Sequence, residues 1–257
     1  MSIKPYYMID FSAVACFFEI RVNDYPVITQ NIEGQVASMI PINQAILESG
    51  KATITATVLP IAGTTELHPG AYLRFKIMLF DVTNDFVFQE QYEQYETDPV
   101  GDQKLPIMAL AGNFMVNVPY IQDAWQDGRN LKDVEDLAPK LHSAYKNISS
   151  IINEKNYEQF KQLIARRENN IAKAMYLSSV EARSRAEDVI TDMQSGFTLM
   201  PIPKDAILQL YANNKVAALK KLNGESALYL FNKKTNEELM LDLTFYIPEG
   251  KTEFEVI

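Results

Sequence analysis

Hydrophobic and polar residues alternate in short runs along the first 120 residues, which is typical of β-strands separated by turns. Residues 51–59 show the clearest alternation, with apolar side chains on one side and threonines on the other: Ala52, Ile54, Ala56 and Val58 against Thr53, Thr55 and Thr57. The same reasoning predicts strands over residues 14–22, 27–29, 71–82, 85–95 and 105–120. Strands and turns at this spacing predict an antiparallel all-β sandwich.

Between residues 137 and 194 the apolar positions recur every three or four residues, and this spacing predicts three consecutive amphipathic helices. The first helix should begin close to Asp136, because Pro139 is tolerated only in a first turn. Asn156 is placed to cap the second helix. Ser178 and Glu181 have the spacing of a capping box for the third.

The alternating pattern returns in the C-terminal segment, where it predicts strands over residues 206–211, 215–222, 226–231 and 238–247. Asn213-Asn214 and Asn223-Gly224 separate the first three strands and suit type I′ turns. The last of these strands places five apolar residues on one side: Leu239, Leu241, Leu243, Phe245 and Ile247. An antiparallel meander with one apolar face is a surface that the three helices can cover.

These patterns predict a two-domain chain of the mainly β plus α+β class. Residues 1–120 form the β-sandwich domain, and residues 121–257 form an α+β domain. In the second domain, helices over about residues 137–194 pack on a meander sheet over about residues 206–257.

A strand and turn over residues 21–27, followed by Asn43 and Gly50 before the next strand, resembles a pattern of the galactose-binding-like (jelly-roll) β-sandwich family. Asn43 can cap a short helical turn, and Gly50 can supply a positive φ. The chain departs from the family at the early turn, where Asn23-Asp24 replaces the common Asn-Gly. The resemblance implies a sandwich that binds sugars or protein partners. By order of elements alone, residues 121–257 resemble the nuclear-transport-factor-like α+β fold.

Charge and composition exclude several classes of function. Hydrophobic residues make up 47% of the chain, as in ordinary globular proteins. The formal net charge of −9 argues against binding to nucleic acid or to anionic lipid, and it is compatible with a basic protein partner. No apolar run approaches the about 18 residues of a membrane span, so we expect no membrane insertion. The single cysteine favours a reducing compartment, the cytoplasm, with the periplasm as the alternative. The oligomeric state does not follow from the sequence.

Catalytic and metal-binding motifs are missing from the sequence. The two histidines, His68 and His142, are far apart, and no zinc, phosphate-loop or nucleophile-elbow motif is present. Acidic loops over residues 81–85 and 98–102 offer oxygen ligands of the kind that Ca²⁺ binds, but such turns are common without metal. The sequence therefore predicts no enzyme, no metal and no cofactor.

The segment 90–98 is the densest acidic and aromatic stretch of the chain. Tyrosine gives a large contact area at low entropic cost, and carboxylates steer basic partners. The candidate partner- or ligand-binding residues are Tyr92, Glu93, Tyr95, Glu96 and Asp98. The alternative is a strand end with packed tyrosines and solvated charges.

Three functions are compatible with these observations. The leading hypothesis is a non-catalytic binding protein, of which a bacterial toxin-neutralising (immunity) protein is the most concrete version. The second is a carbohydrate- or small-ligand-binding module. The third is a hydrolase with its site in the C-terminal domain, where Asp242 or Tyr246 would face a pocket.

Overall fold

A computed structural model describes residues 3–257, apart from the side chain of Asn84. The chain consists mainly of antiparallel β-sheets and has three α-helices in the described part, as predicted. It forms two compact units, Met1–Gln122 and Asp123–Ile257. The sequence predicted a boundary at residue 120.

Within residues 3–122, the first unit contains six strands: β1 (Pro5–Val22), β2 (Tyr25–Pro41), β3 (Gly50–Leu59), β4 (Tyr72–Asp81), β5 (Val87–Glu96) and β6 (Met108–Val116). The second unit contains three helices: α1 (Leu137–Asn153), α2 (Tyr157–Ala174) and α3 (Ser179–Gln194). Its strands are β7 (Thr198–Leu199), β8 (Ile207–Tyr211), β9 (Val216–Lys220), β10 (Tyr229–Asn232), β11 (Glu237–Met240), β12 (Phe245–Tyr246) and β13 (Glu255–Val256).

In strand β1 the buried apolar side chains lie at odd-numbered positions before Ala15 and at even-numbered positions after it. Ala15 itself has a φ of 48°. The buried side chains on the two sides of this residue are Tyr7, Ile9, Phe11 and Ala13, then Cys16, Phe18, Ile20 and Val22. The register against β2 shifts at the same place, which identifies a β-bulge. Because of this bulge, both halves of β1 face one core.

One edge of β1 pairs with β2 from Met8 to Val22. The other edge pairs with β4 up to Val14 and with β3 from Phe17 onwards. The six strands form one sheet of order β5-β4-β1-β3-β6, with β2 paired to β1. In it, β4 and β5 extend from the first half of β1, and β3 and β6 extend from the second half. The inner faces of these two parts meet in one core, where the ring centroids of Tyr7 and Phe114 are 6.1 Å apart.

The first two strands are longer than the sequence predicted. Strand β1 begins at Pro5 instead of residue 14, and β2 continues to Pro41 instead of ending at residue 29. The parity change at Ala15 interrupts the alternation of β1. Strand β2 has no fully buried residue, so its sequence shows no alternation between a buried and an exposed face.

Asn43 does not cap the short helix that contains it, because no side-chain cap bond is present there. It is buried instead, where its Oδ1 accepts a hydrogen bond from the Tyr7 N–H at 2.7 Å and its Nδ2 donates to the Pro5 carbonyl at 3.0 Å. Gly50 has a φ of 139° and thus supplies the positive φ that was expected of it. Asn43 therefore fixes the start of β1.

The helices of the second unit begin where the sequence predicted. Asn156 caps α2 by accepting the Gln159 N–H at 3.2 Å. Ser178 and Glu181 form the complete capping box of α3. Helix α1 follows Asp136, which has a positive φ and makes no side-chain cap bond.

The helices cover the β-strands of this unit. Leu141, Tyr145 and Ile148 of α1 join one core with Leu219 and Phe245 of the strands. The Tyr145 hydroxyl accepts the Leu219 N–H at 2.9 Å and donates to the Leu243 carbonyl at 3.3 Å, so it ties α1 to the strands.

The predicted strand over residues 238–247 is not continuous. It is divided into β11 and β12, which belong to separate sheets with the orders β11-β10-β7 and β13-β12-β9-β8. The Leu241 N–H donates to the Leu228 carbonyl at 2.9 Å, which continues the β10–β11 register by one residue pair. The Leu243 N–H donates to the nearby Leu241 carbonyl at 2.9 Å instead, so the ladder ends there. The apolar residues of this segment face the core as predicted.

The two predicted turns of this segment differ from each other. Asn213 and Asn214 both have positive φ, as a type I′ turn requires. At the other turn only Gly224 has positive φ, and the Asn223 side chain accepts the Glu225 N–H at 3.2 Å.

Candidate binding groove of the first unit

Strand β5 carries four of the five candidate residues, and Asp98 follows its end. A bulge in β5 decides which way its two tyrosines face. Tyr92 and Tyr95 are three positions apart, so a regular strand would place them on opposite faces. The register against β4 shifts between its Lys76 and Met78 partners. This bulge turns both tyrosines toward the core.

Tyr95 is a packing residue. Its ring stacks on Phe75 with the centroids 5.0 Å apart, and the residue is 8% exposed. Its hydroxyl lies against Gly112 of β6, where an added Cβ would be 2.2 Å from the hydroxyl oxygen. This close approach explains why a glycine lies within the continuous strand β6.

Tyr92 is only half-buried and lines an open groove of about 780 Å³. Its ring contacts Tyr7 and Phe114, with centroid distances of 6.2 and 5.8 Å. The residues that line the groove come from the start of β1, from β4 and β5, and from the end of β6 and the residues after it: Ile3, Pro5, Tyr7, Leu79, Glu90, Tyr92, Met115, Val116, Asn117 and Pro119.

Tyr7 is held rigidly at the floor of the groove. Its hydroxyl accepts a hydrogen bond from the Asn117 N–H at 2.9 Å, and its own N–H donates to buried Asn43. The aromatic wall formed by Tyr7 and Tyr92 is therefore positioned before any ligand arrives, which lowers the entropic cost of binding.

The groove has an acidic character. Glu90 is the one charged side chain among its described lining residues. Burial raises the pKa of Tyr92, and the nearby Tyr7 hydroxyl and Glu90 carboxylate raise it further. Because Tyr92 stays protonated at neutral pH, the groove presents one carboxylate beside tyrosine hydroxyls and an apolar wall.

The other candidates lie elsewhere. Glu93, Glu96 and Asp98 are exposed and do not line the groove. Of the five candidates, the structure thus places Tyr92 in the groove, Tyr95 in the core and three carboxylates on the surface. Whether they bind a partner stays a prediction.

The sequence placed Glu90 in the same acidic stretch as Tyr92 but did not name it as a candidate, and it did not connect Tyr7 and Met115 with Tyr92. Glu90 belongs to the acidic stretch, and its spacing of two residues from Tyr92 places both on one strand face. Tyr7 and Met115 are distant in the chain, and no local pattern connects them to β5.

The hydrolase alternative named Asp242 and Tyr246 as groups facing a pocket. Asp242 Oδ1 pairs with Lys220 Nζ at 2.6 Å. Tyr246 is fully buried, and the Arg166 guanidinium lies 5.0 Å from its ring centroid. Neither residue lines the two cavities described in this unit, of about 330 and 600 Å³.

The described residues also contain no cluster of three or more His, Cys, Asp or Glu side chains placed to hold a metal ion. His68 lies exposed in a turn, where its Nδ1 accepts the Gly70 N–H at 3.0 Å. His142 lies on α1. No helix within residues 3–257 is both long and apolar enough to cross a bilayer.

Comparison with known protein families, with proteins of known function and with solved structures finds no match.

Proposed function

We propose that this chain is a non-catalytic binding protein that captures a cationic side chain of a basic protein partner in the groove at Tyr92. One observation carries the proposal: Glu90 supplies a single carboxylate to an otherwise uncharged groove that Tyr7 and Tyr92 line. An arginine or lysine entering there would pair with Glu90 and lie against the tyrosine rings.

The rest of the chain is compatible with this partner. A net charge of −9 attracts basic proteins and raises their association rate. The apolar part of the groove suits the aliphatic stem of a lysine or arginine. A toxin-neutralising protein that blocks a basic toxin remains the most concrete version of this function.

The family resemblances add only a fold assignment to this proposal. The jelly-roll type for the first unit and the nuclear-transport-factor-like type for the second are proposed from the sequence resemblances alone. The function is argued from the groove and not from either fold, because one fold serves many functions.

Binding of short peptides tests the proposal. The probes are extended peptides with one central arginine or lysine, and the matched probes carry glutamine there. We expect the full chain to prefer the cationic peptides, and Glu90→Gln to weaken their binding about tenfold. Tyr92→Ala should also weaken it.

Glu93→Gln is the matched control, since Glu93 lies on the same strand but outside the groove. It should leave binding unchanged. If Glu93→Gln weakens binding and Glu90→Gln does not, the exposed carboxylates bind the partner and the groove does not. Equal binding of both peptide sets to the wild-type chain would overturn the cationic assignment, and a rise of the melting temperature with sugars would favour the carbohydrate alternative.

A further inference from the structure

The strands β2, β1, β4 and β5 also have an outer face, which points away from the core. Their registers define which side chains share it. Tyr6, Phe80 and Phe88 lie side by side, and the next row contains Pro41, Met8 and Met78. We call these residues, together with Met39 and Phe86, the aromatic–methionine face.

This face is exposed although it is apolar. Phe86 and Phe88 are 52% and 50% exposed, and Met39 is 39% exposed. Phe86 packs edge-on against Tyr6 at 5.1 Å between centroids, and Phe88 packs edge-on against Phe80 at 5.9 Å. The aromatic rings therefore form one contiguous cluster. Contiguous apolar patches on soluble proteins mark interaction surfaces, and aromatic and methionine side chains are enriched in the centres of interfaces.

The charges on this face balance. Asp10 and Lys76 lie opposite each other in the row beyond Met8 and Met78, and they form an ion pair of 3.3 Å. The residues of β5 that border the same two rows are Gln91 and Gln94. The face is thus neutral in a chain whose net charge is −9.

The lack of net charge on the aromatic–methionine face indicates which kind of partner can cover it. A basic partner gains nothing from a neutral surface, and it is better served by the carboxylate of the groove. Two copies of an acidic chain repel one another over most of their surfaces, and a neutral apolar face is where they can approach. A two-fold axis would bring Asp10 of each copy toward Lys76 of the other, so the charges of one copy match the opposite charges of the second copy.

We propose that the aromatic–methionine face is the interface of a symmetric dimer of this chain. The fraction of chains in a dimer rises with protein concentration by mass action. This inference is independent of the function proposed for the groove.

Sedimentation equilibrium of the full chain tests it. The wild-type chain should change from monomer to dimer as its concentration rises. Phe88→Glu should remain monomeric over the same range, because it places two like charges in the interface. Since Phe88 is half exposed, the substitution leaves the core intact. The control is Leu222→Glu, at a residue of the second unit that is 62% exposed, which should dimerise like the wild type.

A charge exchange tests the neutral pair separately. Asp10→Lys alone should weaken dimerisation at least about tenfold, and adding Lys76→Asp should restore it, since the double variant is neutral again. A wild-type chain that stays monomeric at every soluble concentration would overturn the proposal. So would a Phe88→Glu variant that dimerises as well as the wild type. Tyr92→Ala should leave dimerisation unchanged, which separates this test from that of the groove.

Discussion

Gly112 and Cys16 show how closely single residues fit the core of the first unit. Gly112 leaves room for the Tyr95 hydroxyl where any side chain would overlap it. Cys16 lies fully buried next to the bulge of β1, and its Sγ is 3.7 Å from the Tyr72 carbonyl oxygen. Each residue leads to a measurable prediction.

Gly112→Ala should destabilise the protein. The added Cβ would be 2.2 Å from the Tyr95 hydroxyl oxygen and 2.4 Å from its ring, so β6 or Tyr95 must move. Overpacking of this kind costs about 1–3 kcal/mol, which chemical denaturation would detect. The control is Gly34→Ala on β2, where no atom lies within 4 Å of the added carbon, and its effect should stay within about 0.5 kcal/mol. Equal stability of Gly112→Ala and the wild type would show that Tyr95 is not packed as described.

Cys16 should resist thiol reagents in the native protein and react after unfolding. Burial raises the pKa of its thiol from 9.0 to about 11, so the reactive thiolate is scarce at neutral pH.

The raised pKa of the Cys16 thiol also makes the stability of the protein depend on pH. Folding favours the protonated thiol, so this contribution is complete below pH 9 and is lost as the pH rises toward 11. The Cys16→Ala variant should lose less stability over that interval, and denaturation curves at a series of pH values would show it. Labelling of the native thiol as fast as that of the unfolded chain would contradict this account.

At the scale of elements, caps and bulges determine where the segments begin and which way they face. Helix α3 is defined by the capping box of Ser178 and Glu181. Hydrogen bonds from the Ser178 side chain and backbone lower the pKa of Glu181. The bulges of β1 and β5 decide which residues enter the core, and the one in β5 places Tyr92 beside the groove.

Ser178→Ala should destabilise α3 by about 1 kcal/mol, because the Glu181 N–H loses its acceptor. Ser179→Ala is the matched control, since that residue is the first of the helix and takes no part in the capping box. The effect of Ser178→Ala should be full at neutral pH. It should shrink as the pH falls through the lowered pKa of Glu181, because the hydrogen bond between the Ser178 side chain and the Glu181 carboxylate weakens when that carboxylate is protonated. Circular dichroism during thermal unfolding measures both variants. If Ser178→Ala and Ser179→Ala lowered the stability equally, helix propensity and not the cap would be responsible.

At the scale of the whole molecule, local sequence patterns predicted the positions of helices and strands better than they predicted which distant segments lie next to each other. The helices and their caps follow from residue spacing, and so does the hairpin of β4 and β5. The full lengths of β1 and β2 do not follow from residue spacing. A bulge interrupts the alternation of apolar and polar residues in β1, and β2 has no buried face that would require such an alternation. The groove could be predicted only in part. Tyr92 stood out in the acidic stretch, whereas Tyr7 and Met115 reach it through pairings between strands that are distant in sequence.

The long first strand has a consequence for synthesis of the chain on the ribosome. The N-terminal half of β1 pairs with β4, whose last paired residue is Asp81. While the chain emerges, this half of β1 has only β2 as a neighbour until β4 has left the exit tunnel. The apolar side chains of Tyr7, Ile9 and Phe11 therefore remain exposed to solvent in the nascent polypeptide until β4 is available. Contacts between segments this far apart in the sequence form slowly. Translation speed along residues 42–81 should thus influence how much of the newly made protein reaches the native state.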